Sequence, residues 1–151
     1  MPFLGECFLV GCGDHCPLAK FDPVQMGFLR KHDVCRLATA SREGLPHVTP
    51  VIYALDGESF VVAIDYGTKK LTNLKENPFA SLVVDEYGEK NRAIMVQGRC
   101  EVFEKGSEYI RLLRILFDRF EYYRTNPWGE GEAPIIRVSS DKVVSWGFAD
   151  G

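Results

Sequence analysis

The sequence predicts a mainly β protein, a small antiparallel barrel with helices at its periphery. Three observations lead there. Strand-like runs follow one another through tight turns instead of alternating with helices, which favours antiparallel over doubly wound sheets. Asp56-Gly57 sits between two apolar, β-rich runs, a strong short-range hairpin signal. The chain has 151 residues, 46% hydrophobic and 26% charged, which suits one domain of ordinary globular composition.

The elements follow in order. Residues 1–21 read as an N-terminal extension and 22–151 as the domain. The extension carries Cys7, Cys12 and Cys16 with His15 beside the last. Its C-x4-C-x3-C spacing lacks the C-x2-C knuckle of common zinc sites, and no metal is expected. Asp22-Pro23 opens a short helix as N-cap and first helical residue, with Met26, Phe28 and Leu29 on its apolar side. Val34–Ala40 is a strand, Ser41–Gly44 a turn, and His47–Leu55 a second strand. Asp56-Gly57 turns the chain into Ser59–Asp65, the returning strand.

Thr68 is placed to cap a short helix whose Leu71 and Leu74 lie three apart on one face, and Asn77-Pro78 stops it. Phe79–Asp85 and Ala93–Glu104 are strands, with Gly98 marking a bulge or a close backbone approach. From Ser107 a longer amphipathic helix is predicted. Ile110, Leu113, Phe117 and Phe120 form its apolar face, Arg111, Arg114, Arg119 and Arg124 a solvated one, and Asn126-Pro127 its end. Ile135–Val138 and Lys142–Phe148 close the chain as strands around Ser139–Asp141. Seven strand-like runs accompany two short helices and one long one, which suits a barrel of about six strands.

Charge and cysteine usage narrow the function. Eighteen basic against 21 acidic residues give a net charge of −3, so no global basic field invites nucleic acid. No apolar run approaches the ~18 residues of a membrane helix. The apolar start lacks a basic n-region and a small-residue cleavage site, so no signal peptide and a cytoplasmic location are expected. The odd count of five cysteines suits a reducing compartment, with Cys35 and Cys100 as buried core residues. Walker, G-x-G-x-x-G and Ser/His/Asp signatures are missing.

The chemistry concentrates in Ala63–Pro78, A-I-D-Y-G-T-K-K-L-T-N-L-K-E-N-P. Here a hydroxyl and two adjacent ammonium groups meet a strand-to-helix junction. Free N–H groups, the positive dipole end and two lysines make a phosphate site. The alternative is a pair of solvated first-turn lysines, a poor choice there because the dipole disfavours a cation at a helix start.

This stretch resembles the flavin-phosphate segment of the pyridoxamine-phosphate-oxidase-like FMN-binding split barrels, T-N-Y-x-S-R-K-x-x-E-L-x-x-N-P. Without a gap, Ile64-Asp65-Tyr66 falls on T-N-Y, Thr68-Lys69-Lys70 on S-R-K, Leu74 on the leucine and Asn77-Pro78 on N-P. Arg36–Val51 resembles the family's first hairpin with its G-x-P-x-x-x-P-V strand, and K-V-V-S-W-G its closing segment.

The resemblance implies a six-stranded antiparallel split β-barrel with Greek-key connections. It implies a homodimer with FMN at the subunit interface, phosphate on Thr68, Lys69 and Lys70, and Ile64 and Asp65 beside it. His47, Val48, Thr49 and Pro50 would line the ring. Read from the residues alone, Gln97 either hydrogen-bonds a flavin carbonyl or faces solvent, and Trp146 either stacks or lies at an interface or packs in the core.

Departures matter too. The second strand reads H-V-T-P-V-I where pyridoxamine-phosphate oxidases proper have R-x-V-L-L-K, and Ala93 stands where they have a glutamine. That argues against oxidation of pyridoxamine phosphate and towards the nitroimidazole-reductase-like and deazaflavin-reductase-like branches. The expected function is two-electron hydride transfer from a reduced nicotinamide to a small acceptor. The rivals are a deazaflavin-dependent reductase of the same fold and a non-catalytic flavin- or haem-binding protein.

Overall fold

The computed structural model describes residues 20–148. Its elements are α1 (Pro23–Lys31), β1 (Val34–Ala40), β2 (Pro46–Ile52), β3 (Ala54–Asp56), β4 (Ser59–Ala63), α2 (Lys69–Glu76), β5 (Phe79–Glu86), β6 (Arg92–Phe103), α3 (Ser107–Arg119), α4 (Glu121–Thr125), β7 (Ile135–Val138) and β8 (Lys142–Trp146). Every strand pairing is antiparallel, and the order is β2-β1-β5-β6-β7-β4-β3, with β8 also on β6. The sheet curls into the predicted barrel. The N-cap of α1 is a full capping box: Asp22 accepts from Gln25 N, and the Gln25 side chain accepts from Asp22 N.

Eight strands form where seven runs are predicted, because the single run His47–Leu55 divides at Tyr53. That side chain is buried and donates to Leu29 O at 2.5 Å, tying the break to α1. The Asp56-Gly57 hairpin forms as predicted, with Asp56 paired to Ser59 and Gly57 at φ 61°, a conformation glycine adopts without steric cost.

β6 is the strand that joins the two halves of the barrel. Its first part pairs with β5 and β8, and Cys100–Phe103 pairs with β7. Between β7 and β8 the chain crosses Gly98, where an added Cβ would lie 1.7 Å from Ser139 O. The glycine therefore marks a close backbone approach, one of its two expected roles.

Two cores result. One fills the barrel, with Leu37, Phe60, Val62, Leu82, Val84, Ile94 and Val96 among its members, and Cys35 and Cys100 inside it. The other lies under α3 against Ala54, Val61 and Ile135.

The face of α3 differs from the prediction. Its buried residues are Tyr109, Leu112, Leu113 and Leu116, while Ile110, Phe117 and Phe120 are only partly covered. The apolar stripe is wide enough for two registers. Tyr109 selects between them, because its hydroxyl reaches Gly129 O and Ala133 O at 3.0 and 2.8 Å. The helix also stops at Phe120, before the short α4, instead of running to Asn126. Arg111 is not a solvated bystander: it pairs with Asp56 and Glu108, each at 2.6 Å.

Candidate functional site

β4 delivers the chain to the start of α2 through the turn at residues 64–68. Tyr66 anchors that turn by donating to Glu104 Oε1 at 2.9 Å, and Lys75 approaches the same oxygen at 3.7 Å. The bond to Glu104 raises the Tyr66 phenol above its ordinary value.

Thr68 occupies the N-cap position, but its side chain does not cap as predicted. The Asp65 carbonyl lies within reach, and the Thr68 hydroxyl donates to it at 2.9 Å. The first-turn N–H groups are left with no side-chain acceptor.

Lys69 is exposed and Lys70 half-buried. Among the described residues, no carboxylate comes within ion-pair distance of either, and no acidic residue stands in the first turn. Two uncompensated cations at the positive end of a helix dipole are unfavourable unless an anion joins them.

Helix geometry puts Lys69 and Lys70 on the side of α2 that also carries Asn73, four and three residues on. Asn73 is fully buried and donates from Nδ2 to Thr39 Oγ1 at 3.0 Å on β1. Thr39 is the register partner of His47, and Leu37 that of Thr49. His47 and Thr49 therefore share the sheet face that α2 covers.

Of the four buried side-chain polar atoms without a partner among the described residues, three belong to this patch: His47 Nδ1, Thr49 Oγ1 and Asn73 Oδ1. The fourth, Trp128 Nε1, is near the Tyr109 hydroxyl. An unpartnered buried polar atom costs ~1–3 kcal/mol, so three together ask for a polar ligand or water.

The other predicted residues divide between locations. Ile64 is buried and Asp65 exposed in the turn. Val48 and Pro50 alternate with His47 and Thr49, so they face outwards from β2, the edge strand of the sheet. Gln97 shares their outer face: Val48, Ala38, Ser81 and Gln97 form one cross-strand row over β2, β1, β5 and β6. Trp146, opposite Ala93 on β8, is also exposed.

A cleft of about 410 Å³ at that row is lined by Ala38, Phe79, Ser81 and Gln97 among others. Thus Thr68, Lys69, Lys70, His47 and Thr49 gather on the α2 side, while Val48, Pro50, Gln97 and Trp146 lie on the other. Another cleft, about 390 Å³ between α1, β3 and α3, contains none of these residues.

Sequence reasoning missed Thr39 and Asn73. The available signal was a polar residue beside Leu74, on the buried side of a short helix.

An antiparallel barrel with a cationic strand-to-helix turn over a polar sheet edge defines the class of small split-barrel proteins. The sequence pattern of pyridoxamine 5'-phosphate oxidase matches residues 21–142, well over half of the chain. The chain belongs to the pyridoxamine 5'-phosphate oxidase family.

It is 27% identical over 136 residues to the 5a,11a-dehydrotetracycline/5a,11a-dehydrooxytetracycline reductase of Streptomyces rimosus, covering 85% of this chain and 84% of the relative. The solved structure of HutZ, a haem storage protein of Vibrio cholerae, matches with a TM-score of 0.72 at 18% identity, over 82% of this chain and 92% of that one. An FAD-binding protein of Mesorhizobium loti matches with a TM-score of 0.65 at 22% identity, over 80% and 87%.

Proposed function

We propose that the chain is an FMN-binding oxidoreductase that works as a homodimer in the cytoplasm. The observation that carries this reading is the patch under α2: among the described residues, two lysines without ion pairs and uncapped first-turn N–H groups lie next to the unpartnered atoms of His47, Thr49 and Asn73. A phosphate on this turn accepts charge-assisted hydrogen bonds from Lys69, Lys70 and the backbone, and removes the dipole conflict. Thr68, tied to Asp65 O, fixes the shape of the turn. His47 and Thr49 offer polar contacts at the β2 edge on the α2 side, and Val48 and Pro50 belong to the apolar outer face.

FMN held there would supply two-electron hydride chemistry between a reduced nicotinamide and a small acceptor. The chain's own work is to bind, orient and shield the ring, which needs no nucleophile. Reduction is the activity named for the Streptomyces relative, and the Mesorhizobium neighbour is named as a flavin binder. Pyridoxamine phosphate is not the proposed substrate, because β2 lacks the basic residues of that specificity.

The outer sheet face exposes Val34, Val48, Ile52, Phe79, Val144 and Trp146. Such an apolar face suits a second copy of the chain. In that dimer Gln97 and Trp146 reach the flavin of the partner. No described helix is long and apolar enough to cross a membrane, and neither membrane nor nucleic acid is proposed as a partner.

The test is the absorbance spectrum and mass of the ligand that co-purifies, followed by turnover with NADH or NADPH and a quinone or nitro compound. Two flavin bands, the mass of FMN and turnover are the expected result. The single dominant band of a deazaflavin, a haem spectrum, or a flavin that never cycles would overturn it.

A further inference from the structure

Beyond the turn, a cleft of about 380 Å³ opens between the end of β4, α4 and the loop after it. Its volume falls within the range of small-molecule sites, about 300–1,000 Å³. Tyr122, Tyr123 and Trp128 form aromatic walls, Tyr123 standing edge-on to Trp128 at 4.6 Å and 84°. Tyr122 is 67% exposed, an unusual place for so large a ring.

The polar groups are mostly acceptors. The Asp65 carboxylate has no partner among the described residues. Asn126 donates its amide to Tyr122 O, leaving Oδ1, and Glu132 has one oxygen on Gly129 N, leaving the other. Asp65 belongs to both places: its carbonyl receives the Thr68 hydroxyl, and the residue lines the cleft, where its charge acts on Tyr123.

We propose that this cleft is a nucleoside subsite, holding the adenine and ribose of a nucleotide whose phosphate chain runs towards the Thr68–Lys70 turn. The proposal rests on the phosphate assignment made above. Aromatic faces stack a purine irrespective of its hydrogen-bonding edge. Carboxylates that accept from ribose hydroxyls are the usual partners of that sugar, and an acceptor-lined wall also suits an exocyclic amine. An organic cation would satisfy the aromatic and acidic groups but be repelled by Lys69 and Lys70. A ligand with a donor-rich, uncharged end and an anionic end suits both halves. Two sources share that chemistry: the adenosine half of FAD as resident flavin, and that of the nicotinamide donor.

The test uses the full chain, stripped of ligand, titrated with ADP, FMN and FAD, and the FMN-loaded chain titrated with NADPH. Tyr122→Ala is the main variant, and Asp65→Asn, which alters only a rim group, guards against misfolding of the first.

Wild type is expected to bind ADP, and Tyr122→Ala to weaken it about 5- to 100-fold, the range measured when a stacked base loses its aromatic partner. FAD binding roughly ten-fold or more tighter than FMN, with the advantage lost in the variants, assigns the subsite to the flavin. Equal FAD and FMN affinity with variant-sensitive NADPH binding assigns it to the donor. Insensitivity of ADP, FAD and NADPH to both substitutions overturns the subsite. FMN that fails to bind a chain whose ADP affinity still depends on Tyr122 overturns the flavin reading alone.

Discussion

Gly98→Ala should destabilise the barrel by about 3 kcal/mol, because one backbone crossing leaves no room for a methyl group. The added carbon would sit 1.7 Å from Ser139 O and 2.7 Å from Ser139 C, where real contacts essentially never fall below 3.0 Å. Both obstacles are backbone, so no side chain can rotate away. The crossing is also pinned. Ser139 N donates to Arg99 O at 3.0 Å, Asp141 N to Gln97 O at 3.2 Å, and Arg99 N to Asp141 Oδ2 at 3.0 Å.

Overpacking of a tight site costs about 1–3 kcal/mol, and loosening one or two of these bonds adds about 1 kcal/mol each. In a domain of this size, 3 kcal/mol corresponds to a fall in Tm of roughly 10 °C. Thermal unfolding followed by circular dichroism, with urea midpoints as a second readout, measures it. A Tm within about 2 °C of wild type would refute the packing argument and with it the geometry of the β7–β8 crossing.

Other outcomes follow from the charge and thiol chemistry. The Arg111 guanidinium, which bonds both carboxylates, holds Asp56 below its ordinary 3.8 and Glu108 down at about 2 instead of 4.5. A carboxylate depressed in the folded state contributes stability that is complete above its unfolded value and lost as pH falls. Tm should therefore drop between about pH 4.5 and 2, and less steeply in Arg111→Ala; identical pH profiles for the two proteins would contradict the network's role. Burial pushes the Cys35 and Cys100 thiols up to about 12. Iodoacetamide at pH 8, read by peptide mass spectrometry, should leave both unlabelled in the native chain and label both in urea; native labelling at either site would contradict its burial.

Most of the barrel was legible because its signals are local. Asp56-Gly57 announces a hairpin through backbone chemistry alone, and Gly98 marks its own close approach. The face of α3 was not legible, since its apolar stripe allows two registers. The choice depends on Tyr109 meeting carbonyls 20 or more residues away. The break at Tyr53 is likewise set by a bond to α1.

At the candidate site the turn was readable from Thr68-Lys69-Lys70, but the polar floor was not. Asn73 and Thr39 come together through a contact 34 residues apart in sequence. Alternation along β2 could be read in advance, yet which of its faces would lie under α2 depends on that same packing.

The central claim is that a phosphate rests on two adjacent lysines at the start of α2. Titrating Lys69→Ala/Lys70→Ala with FMN and with riboflavin, which lacks the phosphate, tests it most directly. Two charge-assisted bonds at about 1.5–3 kcal/mol each predict FMN binding weakened by roughly 100-fold or more, with riboflavin binding unchanged. FMN affinity equal to that of wild type, in a variant with wild-type thermal stability, would contradict it.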